Sequence, residues 1–121
     1  MRNLAIYFHN QGYNCSRCII MAAAEKFEFP LPQEVSDCCC GVNNGFGVGT
    51  ICSALVGSVM VFGILFSEEK TKLMRLELFI QFQEKYGGLN CCMVSACRED
   101  CDEVIGDIAE LTEKLILKYK T

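Results

Sequence analysis

The chain of 121 residues has no tryptophan, a single histidine and only two prolines. Pro30 and Pro32 lie in one short loop, so no proline interrupts a helix elsewhere. A basic cluster is also missing, because 11 Lys and Arg face 15 Asp and Glu, for a net charge of −4. Binding to a phosphate backbone depends on clustered positive charge, so a nucleic-acid partner is not expected.

The first residues lack the apolar core of about 7–15 residues that marks a secretory signal. This favours a reducing interior, and we expect a cytoplasmic protein. Against these absences stand ten cysteines. In a reducing compartment, many thiols indicate metal ligation or redox chemistry, whereas a secreted disulfide scaffold would be shorter and poorer in helical patterns.

Helical periodicity dominates the chain, and we predict one cysteine-rich helical redox domain over residues 1–121. The first two helices are expected to end near Gly12 and to begin after the cap residue Asn14. Further helices are predicted over residues 50–66 and 68–86 and from about residue 100. The last carries a stripe of Val104, Ile108, Leu111 and Leu115. The expected fold is all-α, an irregular bundle of four to six helices around a central apolar helix.

Residues 46–66 contain no charged side chain and are long enough to span a bilayer. The other predicted helices are amphipathic and need an apolar partner. A central bundle helix is therefore favoured over a membrane span.

The cysteines fall into four groups along the chain: Cys15 and Cys18; Cys38, Cys39 and Cys40; Cys52; and Cys91, Cys92, Cys97 and Cys101. Cys15 and Cys101 are predicted at helix starts and Cys52 in the first turn of its helix. The helix dipole stabilises a thiolate at these positions. Soft thiolates suit iron–sulfur clusters, zinc or Cu(I). The single C-x-x-C, with no βαβ context, does not by itself indicate a thioredoxin-type or a zinc site.

Four stretches carry a specific resemblance: "AIYFHNQGYNCSRCII", "GVGTICSALVGSVMVFG", "EKYGGLNC" and "CDEVIGDIAELTEKL". Together they resemble the C-GCAxxG-C-C family of redox-active proteins, which is similar to a domain of split-Soret cytochromes. Ser53 stands where family members usually have glycine.

The resemblance implies that Cys15, Cys52, Cys91 and Cys101 are the principal metal-binding cysteines. It implies an iron–sulfur cluster, of the [2Fe–2S] type, and a homodimer. No C-x-x-C-H occurs, so the haem of the cytochromes does not transfer. No acid–base pair is apparent, so electron transfer or redox sensing with a partner protein is favoured over an autonomous enzyme.

The cysteines outside the family pattern are additional ligands or redox thiols in this interpretation: Cys18, Cys38, Cys39, Cys40, Cys92 and Cys97. At least one of the run Cys38–Cys39–Cys40 is expected to be buried. His9 is expected to face solvent and not to bind metal. Two alternatives stay open, namely a metal-free thiol/disulfide oxidoreductase and a helical module held by structural zinc.

Overall fold

A computed structural model describes residues 1–42, 48, 50–89 and 102–120. These residues form six α-helices and one 3₁₀ turn. The helices are α1 (Arg2–Asn10), α2 (Cys15–Phe27), α3 (Gln33–Asp37), α4 (Ser53–Leu65), α5 (Glu68–Tyr86) and α6 (Asp102–Tyr119), and the turn, called here the cysteine turn, is Cys38–Gly41. The described residues contain no β-strand, so the predicted all-α bundle is confirmed.

Side-chain caps and one glycine fix helix ends where the sequence predicted them. Asn14 accepts a 3.0 Å hydrogen bond from the backbone N–H of Arg17 ahead of α2. Ser67 accepts one of 3.3 Å from the N–H of Lys70 ahead of α5. Gly87 ends α5 with φ of 78°, a conformation that glycine adopts without steric cost. The predicted start of α2 and end of α5 are therefore confirmed.

The start of α4 differs from the prediction, because the helix begins at Ser53 rather than near residue 50. Cys52 keeps an extended backbone with ψ of 124°, and its N–H donates a 2.8 Å hydrogen bond to the carbonyl of Leu89. This N–H is therefore engaged outside the helix. Cys52 therefore caps α4. The prediction that it lies within the first turn of the helix was wrong.

Helix α4 contacts α2, α5 and α6, whereas α6 contacts α1, α2, α4 and α5, so the two helices share the centre of the bundle. Its buried residues are Ser53, Ala54, Leu55, Gly57, Ser58, Val61 and Phe62. Among the described residues, no helix combines the length and apolar character needed to cross a membrane.

Helix α5 is apolar on more than one side. Its buried residues are Met74, Leu78 and Phe82. Leu73, Leu76 and Ile80 of the same helix are about half exposed. Since both sets repeat at helical spacing, packing against α4 and α6 decides which set is buried.

The helix directions follow from contacts between their ends. The N-terminal ammonium of Met1 lies 3.2 Å from Glu113, and His9 lies 2.6 Å from Asp102, so α1 runs antiparallel to α6. Lys26, near the end of α2, also lies 3.9 Å from Glu113. Helix α2 therefore runs parallel to α6, and both helices start at the same end of the bundle.

Candidate functional site

The start of α2 places Cys15 where a helix favours negative charge. Asn14 Oδ1 accepts hydrogen bonds from the N–H of Arg17 at 3.0 Å and from the hydroxyl of Ser16 at 2.9 Å. Cys15 follows as the first residue of the helix and is half-buried against the core. The N–H groups of a first helical turn have no partner within the helix and carry partial positive charge, so a thiolate here is stabilised.

Cys52 also lies at a helix start, as the N-cap residue that precedes α4. It is only 8% exposed, and the helix dipole of α4 favours negative charge at this end of the helix. Its hydrogen bond to Leu89 ties the start of α4 to the chain just beyond α5, two residues before Cys91.

The start of α6 lies near the start of α2. Asp102, the first residue of α6, lies beside His9 at the end of α1. Its carboxylate is also close enough to Cys18 to contribute to the raised pKa of that thiol. Tyr86, the last residue of α5, donates a hydrogen bond to Asp107 in α6, so the end of α5 lies here too. The starts of α2, α4 and α6 therefore meet at one end of the bundle.

Two of the four principal cysteines fall within the described part of the chain. Cys15 and Cys52 are brought to the end of the bundle where the helix starts meet. The other two, Cys91 and Cys101, lie outside the described residues, as do Cys92 and Cys97. Within the described ranges, His, Cys, Asp and Glu side chains form no group of three that could hold a metal ion.

Cys18 is fully buried, and its thiol donates a 3.4 Å hydrogen bond to the carbonyl of Tyr13. Burial in apolar surroundings, with a smaller contribution from the neighbouring Cys15, raises the pKa of Cys18 to about 12. The thiol is therefore neutral at physiological pH. Since the thiolate is the nucleophile and the metal ligand, this environment disfavours a reactive Cys15–Cys18 dithiol.

The cysteine turn separates its three thiols by exposure. Cys39 is fully buried, and burial raises the pKa of its thiol, whereas Cys38 and Cys40 are exposed. Cys39 thus fills the core as a small apolar residue. The expectation that at least one member of the run is buried is confirmed.

The sequence did not predict the contact that His9 makes with Asp102. His9 was expected to face solvent, but its side chain is only 26% exposed and its Nδ1 lies 2.6 Å from Asp102 Oδ1. The available signal was the pairing of a basic group in the last turn of α1 with an acidic first turn in α6. Nothing in a single sequence shows that these two turns lie side by side.

A comparison with models of known protein families identifies the family of the chain. A family model described as "Putative redox-active protein (C_GCAxxG_C_C)" matches residues 13–115. The chain belongs to the C_GCAxxG_C_C family. Searches of curated proteins and of solved structures found no significant match.

Membership makes this a cysteine-rich, redox-active, all-helical protein. The match to the C_GCAxxG_C_C family begins at residue 13 and therefore leaves out α1. The contact between His9 and Asp102 joins α1 to the start of α6, at the end of the bundle where α2 also begins.

Proposed function

We propose that the protein binds an iron–sulfur cluster through Cys15, Cys52, Cys91 and Cys101 and serves in electron transfer to a partner protein or in redox sensing. The observation that supports this proposal is the meeting of the starts of α2, α4 and α6 at one end of the bundle. Two of the four cysteines lie at these starts, and the remaining two lie two residues after Leu89 and one residue before Asp102.

The described donors fit such a group chemically. Thiolates are the usual ligands of iron–sulfur clusters, and helix starts stabilise the negative charge that four thiolates bring together. The low exposure of Cys52 and the partial burial of Cys15 limit access of water, which is one of the factors that set a cluster potential. When bound, the cluster supplies one-electron redox chemistry.

Two contacts hold Leu89 and Asp102, the described residues on either side of residues 90–101. The Leu89 carbonyl holds the backbone N–H of Cys52, and His9 holds the carboxylate of Asp102. These contacts fix the positions from which the chain enters and leaves residues 90–101. A reducing compartment such as the cytoplasm suits this role, because the thiols stay available as ligands there.

Anaerobic purification tests the proposal directly. The wild-type protein is expected to be coloured and to contain iron and acid-labile sulfide, with a paramagnetic signal in one of its redox states. Cys15→Ser and Cys52→Ser are expected to lose most of the iron, since each removes a thiolate ligand. Cys40→Ser is the matched control, because Cys40 is an exposed thiol outside the four, and it is expected to keep the wild-type iron content.

Circular dichroism on each variant separates loss of ligand from loss of fold. A folded, colourless wild-type protein without iron after reconstitution would overturn the proposal. Stoichiometric zinc without colour would instead establish the structural-zinc alternative. Full iron content in Cys15→Ser and Cys52→Ser would show that other cysteines hold the metal.

A further inference from the structure

The cysteine turn brings two exposed thiols into one turn of 3₁₀ helix. Cys38 and Cys40 are exposed on either side of the buried Cys39. A 3₁₀ helix rises about 2 Å per residue with three residues per turn, so the Cα atoms of Cys38 and Cys40 are about 5 Å apart. This separation lies within the range of about 4.4–6.8 Å over which a disulfide can form.

Cys39 fixes the turn so that its neighbours stay at the surface. The Asn14 amide donates a 3.4 Å hydrogen bond to the Cys39 carbonyl, and the Cys39 thiol lies 3.8 Å from the carbonyl of Val35. The hydroxyl of Ser16 also interacts with the Cys39 thiol. Cys39 is thus held against the start of α2, where Asn14 and Ser16 precede and follow Cys15.

The surroundings leave room for a reaction at this turn. A side chain added at Gly41, which closes the turn, would meet no atom within 4 Å. The exposed Cys38 thiol donates a 3.0 Å hydrogen bond to the carbonyl of Val35. Since successive residues of a 3₁₀ helix point about 120° apart, closing a Cys38–Cys40 bond requires the turn to unwind locally, and the exposed Gly41 permits this.

We propose that Cys38 and Cys40 form a dithiol, separate from the metal-binding cysteines, that is oxidised by low-molecular-weight disulfides. The Cys38 thiolate attacks a disulfide RSSR, forms a mixed disulfide with one RS group and releases the other as a thiolate. The Cys40 thiolate then attacks the Cys38 sulfur, forms the Cys38–Cys40 disulfide and releases the second RS group. Two protein thiols lose two electrons and two protons, and RSSR becomes two RSH.

The other described cysteines outside the proposed metal site do not compete in this reaction. Cys18 and Cys39 are fully buried, and burial raises the pKa of both thiols, so neither supplies an accessible thiolate. The reaction is therefore expected to be at least tenfold faster at Cys38 and Cys40 than at Cys18 and Cys39.

Oxidised glutathione under native conditions tests the proposal, followed by acid quenching, alkylation and peptide mass mapping. In the wild type, the peptide that contains the turn is expected to lose two hydrogen atoms and to carry no glutathione at the end of the reaction. In Cys38→Ser and Cys40→Ser, the remaining thiol is expected to keep one glutathione, because the second exchange step has no attacking thiol. Reduction by dithiothreitol should restore the wild-type peptide.

Two results would overturn the inference. One is stable glutathionylation of both Cys38 and Cys40 in the wild type, and the other is a turn that reacts no faster than Cys18. The variant Cys39→Ala keeps both exposed thiols and is expected to form the disulfide, provided that circular dichroism shows it folded. Iron content does not enter this readout, so the reaction of the turn and the proposed cluster can fail or succeed independently.

Discussion

Two helix contacts in this bundle are each made through a glycine, and they differ in what the glycine meets. A Cβ atom at Gly57 of α4 would lie 2.6 Å from the backbone oxygen and 2.9 Å from the Cα of Ser16 in α2. A Cβ atom at Gly106 of α6 would lie 3.0 Å from the Cδ1 of Ile6 and 3.1 Å from side-chain atoms of Arg2 in α1. The first neighbour is backbone, and the second is the far end of flexible side chains.

The difference shows that the two contacts have different tolerances. The α2–α4 contact is a close approach of two backbones next to Cys15, so it cannot change without moving a helix. The α1–α6 contact is held by polar side chains, among them the ion pair of Arg2 with Asp107 at 2.6 Å and the hydrogen bond of His9 with Asp102 at 2.6 Å. Long side chains can shift and re-form such pairs, so this contact tolerates added volume better than the α2–α4 contact does.

The largest effect is expected for Gly57→Ala. The added methyl group overlaps the Ser16 backbone, so α2 and α4 must separate, at a cost of about 3 kcal/mol or more. Urea unfolding followed by circular dichroism measures this loss. Because Ser16 adjoins Cys15, the variant is also expected to hold less iron under the conditions of the wild-type preparation.

Gly63→Ala on the same helix is the control. Gly63 is exposed and its Cβ position meets no atom within 4 Å, so alanine is expected to stabilise the helix by roughly 1 kcal/mol or less. A Gly57→Ala variant as stable as Gly63→Ala would contradict the close approach of the α2 and α4 backbones.

A smaller effect is expected at Asp107, which joins three elements. Partial burial by itself would raise the pKa of this carboxyl group. Hydrogen bonds from Lys85, Tyr86 and Arg2 outweigh burial and lower the pKa to about 2. The folded-state pKa lies below the unfolded value, so the stabilisation is present above about pH 4 and is lost as the pH falls towards 2. Asp107→Asn is expected to cost roughly 2 kcal/mol at pH 7.

The pH dependence distinguishes this role from simple loss of packing. Between pH 4 and 2 the stability difference between the wild type and Asp107→Asn is expected to shrink, as measured by urea unfolding at each pH. Glu110→Gln is the control, since Glu110 is 52% exposed and its 3.1 Å contact with Arg2 is worth little. A constant difference across this pH range would contradict the assignment to Asp107.

The sequence predicted helices well where a local signal marks their ends. Asn14 and Gly87 gave correct boundaries because a cap and a left-handed glycine act through neighbouring residues alone. The predicted start of α4 was wrong because the Cys52 N–H donates a hydrogen bond to the carbonyl of Leu89, which is distant in the sequence. The buried face of α5 could not be predicted in full, because Leu73 and Met74 are both apolar and only tertiary packing places Met74 in the core.

The part of the candidate site that could be predicted from the sequence is the part that depends on helix starts. The patterns placed Cys15 at a helix start, and the quoted motifs identified the family. They did not show that Cys18 and Cys39 are buried while Cys38 and Cys40 are exposed, because exposure depends on which helix covers each turn. The assignment of Cys15, Cys52, Cys91 and Cys101 as metal ligands stays a prediction, and the last two lie outside the described residues.

The smallest effect is expected for Gly106→Ala, the counterpart of Gly57→Ala at the second contact. Replacing an interior helical glycine by alanine gains roughly 1 kcal/mol, and displacing the ends of Ile6 and Arg2 offsets much of this gain. The net change in unfolding free energy is therefore expected within about 0.5 kcal/mol of zero. Combining it with Ile6→Val, which removes the Cδ1 atom, should make the glycine substitution more favourable than in the wild type. A loss as large as that of Gly57→Ala would mean that α1 is held as rigidly as α2, and the contrast between the two contacts would disappear.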